Sequence, residues 1–261
     1  MPERPSHTPL GTPFIELQSV DSTNNYALTL VHAGLAQPGT AVFAHQQVAG
    51  KGQRGRNWSS EKGKSLSLSL IIDPAPLDTT RQFWLSACVA VTTCGILSRK
   101  TGQEFSIKWP NDLYWQDRKA GGILIESIIG NGPSGSATWK WAVAGIGINV
   151  NQSSFPDELS HAVSMLQLTG RNLIITDLCR EICLELDQAI TTMTDEGFSK
   201  IFHDFNNLLY KKGEMVRLKK DNRVFTALLK GVSETGELIV EHGIESRYSV
   251  GEVQLVPGPV S

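Results

Sequence analysis

The chain has 261 residues, 40% of them hydrophobic and 19% charged, so it can bury a full core as one domain or as one large and one small domain. A net charge of -2 argues against a general nucleic-acid binder, and without an N-terminal apolar segment or a long apolar span neither secretion nor membrane insertion is expected, which leaves the cytoplasm. Cys88, Cys94, Cys179 and Cys183 lie in apolar, helix-like contexts without metal-type spacing and are expected to be reduced, buried thiols; the six histidines show no zinc-ligand pattern.

Residues 1–13, with four prolines, read as an extended or flexible lead-in. Residues 14–20 suit a strand, and Asp21 or Ser22 then caps a helix that runs to about His32 and closes at Gly34. A strand at 40–45 leads into a Gly-rich loop, after which Ser65-Leu66-Ser67-Leu68-Ser69-Leu70 alternates with period two, the mark of a half-buried strand. Residues 82–100 are apolar at helical spacing and too many for a strand. Strands at 104–109, 113–116, 119–129 and 138–150 follow as a meander, with a hairpin loop at 130–136. Amphipathic helices at 177–194 and 197–210 complete an α+β domain, an antiparallel sheet with helices on one face. From Lys212 the pattern changes to short strands at 214–219, 223–232, 237–241 and 244–249, with Asp221-Asn222 and Thr235-Gly236 as turn signals, which suggests a small barrel. The expected division is a lead-in at 1–13, a main domain at 14–210 and a C-terminal domain at 211–261.

Two segments concentrate polar chemistry inside the main domain. In Lys108-Trp109-Pro110-Asn111-Asp112 the last three residues are ordinary turn chemistry. Turn chemistry does not account for Lys119 or for Gly121-Gly122, where missing side chains let something approach the backbone. Upstream, Gly50, Gly52 and Gly55 let backbone N–H groups converge on an anion, and Lys51, Arg54 and Arg56 supply charge for a carboxylate or phosphate. No Walker pattern is present. Trp58 at the end of this loop either stacks on a purine or belongs to the core.

Together these segments closely resemble the biotin-protein ligase family, whose signature joins a Gly-Arg-Gly-Arg-x-Gly-Arg-x-Trp loop to Lys-Trp-Pro-Asn-Asp and a downstream Lys-x-x-Gly-Ile-Leu. The second part is matched in full, from Lys108 through Lys119 to Gly122-Ile123-Leu124, with Glu126 after it. The resemblance also takes in Asp21-Ser22-Thr23-Asn24, Gln47 and Gly145-Ile146-Gly147-Ile148-Asn149, and so nearly all of the chain. Lys51 and Gln53 stand where arginines are commonest; Lys51 keeps the charge without the planar fork, and Gln53 keeps donors without the charge. The N-terminal segment is short for the helix-turn-helix domain of bifunctional members, so a monofunctional type is expected.

The resemblance implies a mixed, mainly antiparallel sheet with helices packed on it, like the catalytic domain of class II aminoacyl-tRNA synthetases, and an SH3-like C-terminal β-barrel. It implies a two-step ligation. Biotin's carboxylate attacks the α-phosphate of ATP to give biotinyl-5′-AMP, and a lysine of the biotin carboxyl carrier protein of acetyl-CoA carboxylase then takes the acyl group. Lys119 is the expected catalytic group, a fixed cation where negative charge develops. Implied biotin contacts are Ser22, Thr23, Asn24, Gln47, Gly50, Lys51, Gly52, Gln53, Lys119 and Gly122; implied nucleotide contacts are Arg54, Arg56, Trp58, Asn111 and Asn149. Ser22 and Thr23 also read as a helix cap, and Asn149 as a strand-end turn residue. Mg²⁺ accompanies ATP, with Asp112 a candidate ligand through water, and no tightly bound prosthetic group is implied. The loop from Gln47 to Trp58 is expected to be mobile when free and ordered by biotinyl-AMP. The oligomeric state stays open, a homodimer included. Two rivals remain: a lipoate or octanoate ligase or transferase of the same fold, and a non-catalytic biotin-binding module, which would keep Gln47 but need not keep Lys119.

Overall fold

A computed structural model describes residues 8–59, 61–132 and 135–256. Part of the expected lead-in, the tip of the 130–136 hairpin and the last residues of the expected C-terminal domain lie outside the described residues.

The main part runs β1 (Phe14–Leu17), α1 (Thr23–His32), β2 (Ala41–Ala44), β3 (Ser65–Ile72), α2 (Gln82–Thr101), β4 (Ser106–Lys108), β5 (Asp112–Trp115), β6 (Arg118–Asn131), β7 (Ala137–Asn149), α3 (Met165–Thr169), α4 (Ile175–Thr191) and α5 (Asp195–Asn207). Its sheet has seven strands in the order β1-β2-β3-β7-β6-β5-β4. The β1–β2 pair is parallel and the other neighbours are antiparallel. A second, antiparallel sheet follows, of β8 (Met215–Lys220), β9 (Arg223–Val232), β10 (Leu238–His242), β11 (Ile244–Tyr248) and β12 (Gln254–Leu255), in the order β11-β10-β9-β8-β12.

The alternation along β3 decides what each face of the large sheet does. Leu66, Leu68 and Leu70 join the main core with Leu85 and Leu97 of α2 and Leu178 and Ile182 of α4. Each such fully buried leucine contributes about 1.5–3 kcal/mol. The serines point the other way and are buried too, so this strand is covered on both faces rather than half-buried as its alternation suggested. That second face turns apolar only at its far end, where Val42, Ile71 and Val143 pack against Ala27 of α1. Helices therefore lie on both faces, which corrects the expectation of one covered face: the patch on the second face needs a cover, and α1 supplies it. Ser22 caps α1 through its side chain, and Gly34, at φ +70°, closes it.

Two short elements escape the periodicity reading. α3 is a five-residue helix whose Ser164 and Gln167 form a reciprocal capping box, a signal legible in the sequence. β12 has only two residues, too few for any pattern. The two sheets share one core: Val216, Leu218, Leu229 and Val240 belong to the same apolar cluster as Leu66 and Ile107. Trp109 Nε1 donates to Gly236 O at 2.9 Å, and Asn206 pairs with the Val232 backbone through both its amide atoms. All four cysteines are free and buried, and burial pushes the Cys88, Cys94 and Cys183 thiols up to about 12. Among the described residues no helix is long and apolar enough to cross a membrane.

Candidate active site

Where α1 leaves the second face uncovered, the central strands carry small residues in register. Ser67 lies opposite Gly147 and Gly147 opposite Gly122; Ser69 lies opposite Gly145 and Gly145 opposite Leu124. The missing side chains open a cleft of about 630 Å³, walled by the start of α1, the Gly-rich loop, the 108–112 bend and the second sheet. The glycines also seat their neighbours. A Cβ on Gly145 would fall 2.2 Å from Asn24 Oδ1, and one on Gly147 would fall 2.6 Å from Trp58 Cε2.

One end of the cleft is a polar network at the N-terminus of α1. The Val20–Gln47 bridge, with Val48 N donating to Val20 O and Ala49 N to Asp21 O, holds Gln47 against the helix. Thr23 donates to Gln47 Oε1 from its backbone N at 2.8 Å and from Oγ1 at 3.0 Å. Ser69 Oγ lies 2.7 Å from Thr23 Oγ1 and 2.6 Å from Asn24 Oδ1. Asn24 Nδ2 donates to Glu126 Oε2 at 2.8 Å and to Leu124 O at 3.3 Å.

At the centre Lys119 Nζ meets Asp112 Oδ1 at 2.5 Å. A β-bulge aims it there: Leu113 pairs with Gly121 and Tyr114 with Lys119, so Ala120 is the extra residue. The Lys119 backbone is held on its far edge, its N–H donating to His161 O at 2.7 Å and its carbonyl accepting from Val163 N at 2.9 Å and Asn149 Nδ2 at 3.3 Å. Trp58 covers this region, its ring centroid 5.8 Å from Lys119 Nζ, while its own Nε1 is buried with no acceptor among the described residues.

The third region is a cationic and aromatic corner. Lys108 Nζ lies 3.3 Å from Tyr114 OH and 4.8 Å from the Tyr114 ring centroid. Burial holds its ammonium below the usual lysine range; Lys119, Lys211 and Arg56 act in the same direction and Asp112 opposes them. Burial likewise raises the Tyr114 and Tyr210 phenols. Tyr210 OH donates to Asp117, which also pairs with Lys211 at 3.3 Å.

The Gly-rich loop folds on itself through Gly52 N to Arg56 O at 2.6 Å and Trp58 N to Gly50 O at 2.8 Å. Arg54 takes a left-handed backbone, φ 59°, inside the turn Gln53–Gly55. Its guanidinium rests on the turn between β11 and β12: a Cβ on Gly251 would fall 3.2 Å from Arg54 Cζ. Lys51, Arg54 and Arg56 have no carboxylate in ion-pair range among the described residues. Among the described residues, Lys51, Arg54, Arg56, Lys108, Lys119, Lys211 and Arg217 line the cleft against Asp112 and Asp117 alone. A chain of net charge -2 thus gathers positive charge at one place, which suits a polyanion.

Fourteen of the sixteen residues expected from sequence line this cleft; Gly50 and Asn149 do not. Gly50 is buried at the base of the loop, and Asn149, 5% exposed, lies behind Lys119 and bonds its carbonyl rather than facing the cleft. Asn111 turns its amide inward to Ile123 O at 2.5 Å. The Asp112 carboxylate is committed to Lys119, and no three His, Cys, Asp or Glu side chains among the described residues cluster to hold a metal ion. Sequence reasoning gave no role to Lys108, Tyr114, His161, Tyr210, Lys211 or the second-sheet wall of Met215, Arg217 and Val250. Lys108 had a signal, its place in the motif; the wall had none, since it reaches the cleft only when the two sheets pack.

Residues 16–141 match the biotin/lipoate A/B protein ligase family. The chain is 33% identical to the bifunctional ligase/repressor BirA of Bacillus spizizenii, over 92% of this chain and 73% of that protein. It is 28% identical to the biotin–[acetyl-CoA-carboxylase] ligase of Paracoccus denitrificans, over 86% of this chain and 92% of that protein. In structure it resembles the biotin protein ligase of Aquifex aeolicus in complex with biotin and ATP, with a TM-score of 0.79, 26% identity, and 94% of this chain and 99% of that chain covered.

Proposed function

This chain belongs to the biotin/lipoate A/B protein ligase family, and we propose that it activates biotin with ATP to biotinyl-5′-AMP and transfers the biotinyl group to a lysine of the biotin carboxyl carrier protein of acetyl-CoA carboxylase. The observation that carries this reading is the order of groups along one cleft: a neutral hydrogen-bonding end at Thr23 and Gln47, Lys119 at the centre, and a cationic corner beyond it.

The neutral end suits the ureido ring of biotin, which offers N–H donors and a carbonyl acceptor. The carboxylate then lies toward Lys119 and the loop cations. In the first step a carboxylate oxygen attacks the α-phosphorus and pyrophosphate leaves. In the second, the carrier lysine's amine attacks the acyl carbon, loses a proton, and AMP leaves. Negative charge builds on oxygens at the acyl-phosphate junction in both. The ammonium of Lys119 has three N–H donors and Asp112 takes one, so a positioned cation keeps donors free for those oxygens. Arg54 and Arg56 serve the phosphates, and Trp58 the adenine. ATP enters as its magnesium complex; with Asp112 held by Lys119, the described residues supply no ready cage for the ion.

The five short antiparallel strands after Tyr210 support an SH3-like C-terminal domain at 211–261, and the helix-backed seven-stranded sheet supports a catalytic domain at 14–210 of the class II aminoacyl-tRNA synthetase kind. The cytoplasm, where ATP and the carrier protein are found, is the proposed compartment. The test is to incubate the protein with ATP, Mg²⁺ and either biotin or lipoate. Pyrophosphate release and label transfer to a carrier domain with biotin alone are expected. Turnover with lipoate instead would favour the lipoate ligase, and no turnover with either would favour a binding module.

A further inference from the structure

We infer that Glu126, which no step above uses, is a positioning residue for substrate selection: through Asn24 and Ser69 it sets Thr23 Oγ1 as a hydrogen-bond acceptor toward the ligand. This rests on the reading that a biotin ureido ring occupies the Thr23 end of the cleft.

The argument is a count of protons along a chain of short contacts. A carboxylate accepts and does not donate, and so does the Leu124 carbonyl. Asn24 contacts both, at 2.8 Å and 3.3 Å, so the atom it presents there is Nδ2 and its Oδ1 must face Ser69. An amide oxygen only accepts. The single hydroxyl proton of Ser69 therefore goes to Asn24 Oδ1, at 2.6 Å, and Ser69 Oγ becomes an acceptor toward Thr23 Oγ1, at 2.7 Å. Thr23 directs its own proton to Ser69 Oγ or to Gln47 Oε1, which its backbone N–H also reaches. Either way Thr23 has no proton left for a ligand. It offers lone pairs and selects a ring that carries an N–H, as a cyclic urea does and a dithiolane does not.

Without an acceptor at position 126 the direction is held only by the Leu124 carbonyl, the longer contact at 3.3 Å. A reversed Asn24 amide would donate to Ser69, Ser69 to Thr23, and one of the lone pairs Thr23 offers would be lost. The packing leaves Asn24 little room for another solution: it is 3% exposed, and its Oδ1 lies over Gly145, where even a Cβ would not fit. Glu126 stands on β6 opposite Val143, on the same face as Leu124 and Gly122, outside the cleft lining. Its effect on the ligand passes through Asn24 and Ser69.

The experiment is steady-state pyrophosphate release with biotin and ATP for wild type, Glu126→Met, Glu126→Gln, Ser69→Ala and the Met/Ala double variant, each with its melting midpoint. Glu126→Met should raise KM for biotin by roughly three- to tenfold, the scale of one lost hydrogen bond, with kcat and KM for ATP unchanged. Glu126→Gln, which keeps an acceptor oxygen, should restore most of the affinity. Ser69→Ala takes away the hydroxyl that would turn on Thr23, which keeps both lone pairs by donating to Gln47; alone it should cost little biotin affinity, and in the double variant it should cancel most of the Glu126→Met loss. An unchanged biotin KM in folded Glu126→Met, a Gln variant no better than Met, or strict additivity would each overturn the inference. Should Glu126→Met not fold, Glu126→Ala takes its place in the same KM comparison with Glu126→Gln. Failure of wild type to turn over biotin is a separate result: it would sink the functional reading, and this inference with it.

Discussion

Replacing Gly145 by alanine adds one methyl group at the point where β7 passes beneath Asn24. The new Cβ would lie 2.2 Å from Asn24 Oδ1, some 1.2 Å inside the 3.4 Å at which ordinary contact begins. Neither side yields easily. Gly145 is in the middle of the sheet, paired with Ser69 on one side and Leu124 on the other, and Asn24 is tied to Ser69, Leu124 and Glu126. Overpacking of this kind costs about 1–3 kcal/mol. If Asn24 is expelled, its hydrogen bond to a charged carboxylate goes too, about 1.5–3 kcal/mol. A combined loss on the order of 3 kcal/mol lowers the melting midpoint by roughly 6–12 °C for a chain of this size. The midpoint should be read by differential scanning calorimetry beside Gly95→Ala. In α2 that same change meets only the far end of Arg99, at 3.4 Å, and should stabilise by about 0.5–1 kcal/mol. A Gly145→Ala midpoint within a degree of wild type, with unchanged KM for biotin, would refute the reasoning that this glycine makes room for a fixed Asn24.

Two further outcomes are expected. Lys119→Ala should slow adenylate formation, read as biotin-dependent pyrophosphate release, by roughly a hundredfold or more while the melting midpoint stays near wild type, since the side chain is partly exposed and makes one ion pair; near wild-type turnover would remove it from the mechanism. Trypsin should cut free protein after Lys51, Arg54 or Arg56, all exposed, and biotin with ATP and Mg²⁺ should protect those bonds; equal cleavage with and without ligand would mean that the loop is not ordered by it.

Period-two alternation of Ser65 to Leu70, the helical spacing of 82–100 and the capping signal at Ser22 each reappear as an element within a few residues, because local steric and burial preferences act over distances a sequence window spans. The motif residues were legible as a set for the same reason: Lys108, Asn111, Asp112, Lys119 and Gly122 are joined by a tight bend and a strand pair, so their neighbourhood in sequence is their neighbourhood in space.

Tertiary structure decided the rest. Nothing local says that Gly145 and Gly147 seat Asn24 and Trp58, that α1 covers the second face, or that Asn149 turns behind Lys119. Nor does a window around Glu126 contain Asn24, its partner more than a hundred positions earlier. The cleft's outer wall, Met215 to Arg217 and Val250 to Val256, forms because Trp109 and Phe83 dock on Gly236. Sequence alone thus picked out most of the residues that gather in the cleft and the strand pair that unites the motif. Which way each polar atom faces was decided by packing and hydrogen-bond satisfaction, since a proton's direction is set by every partner in its network at once.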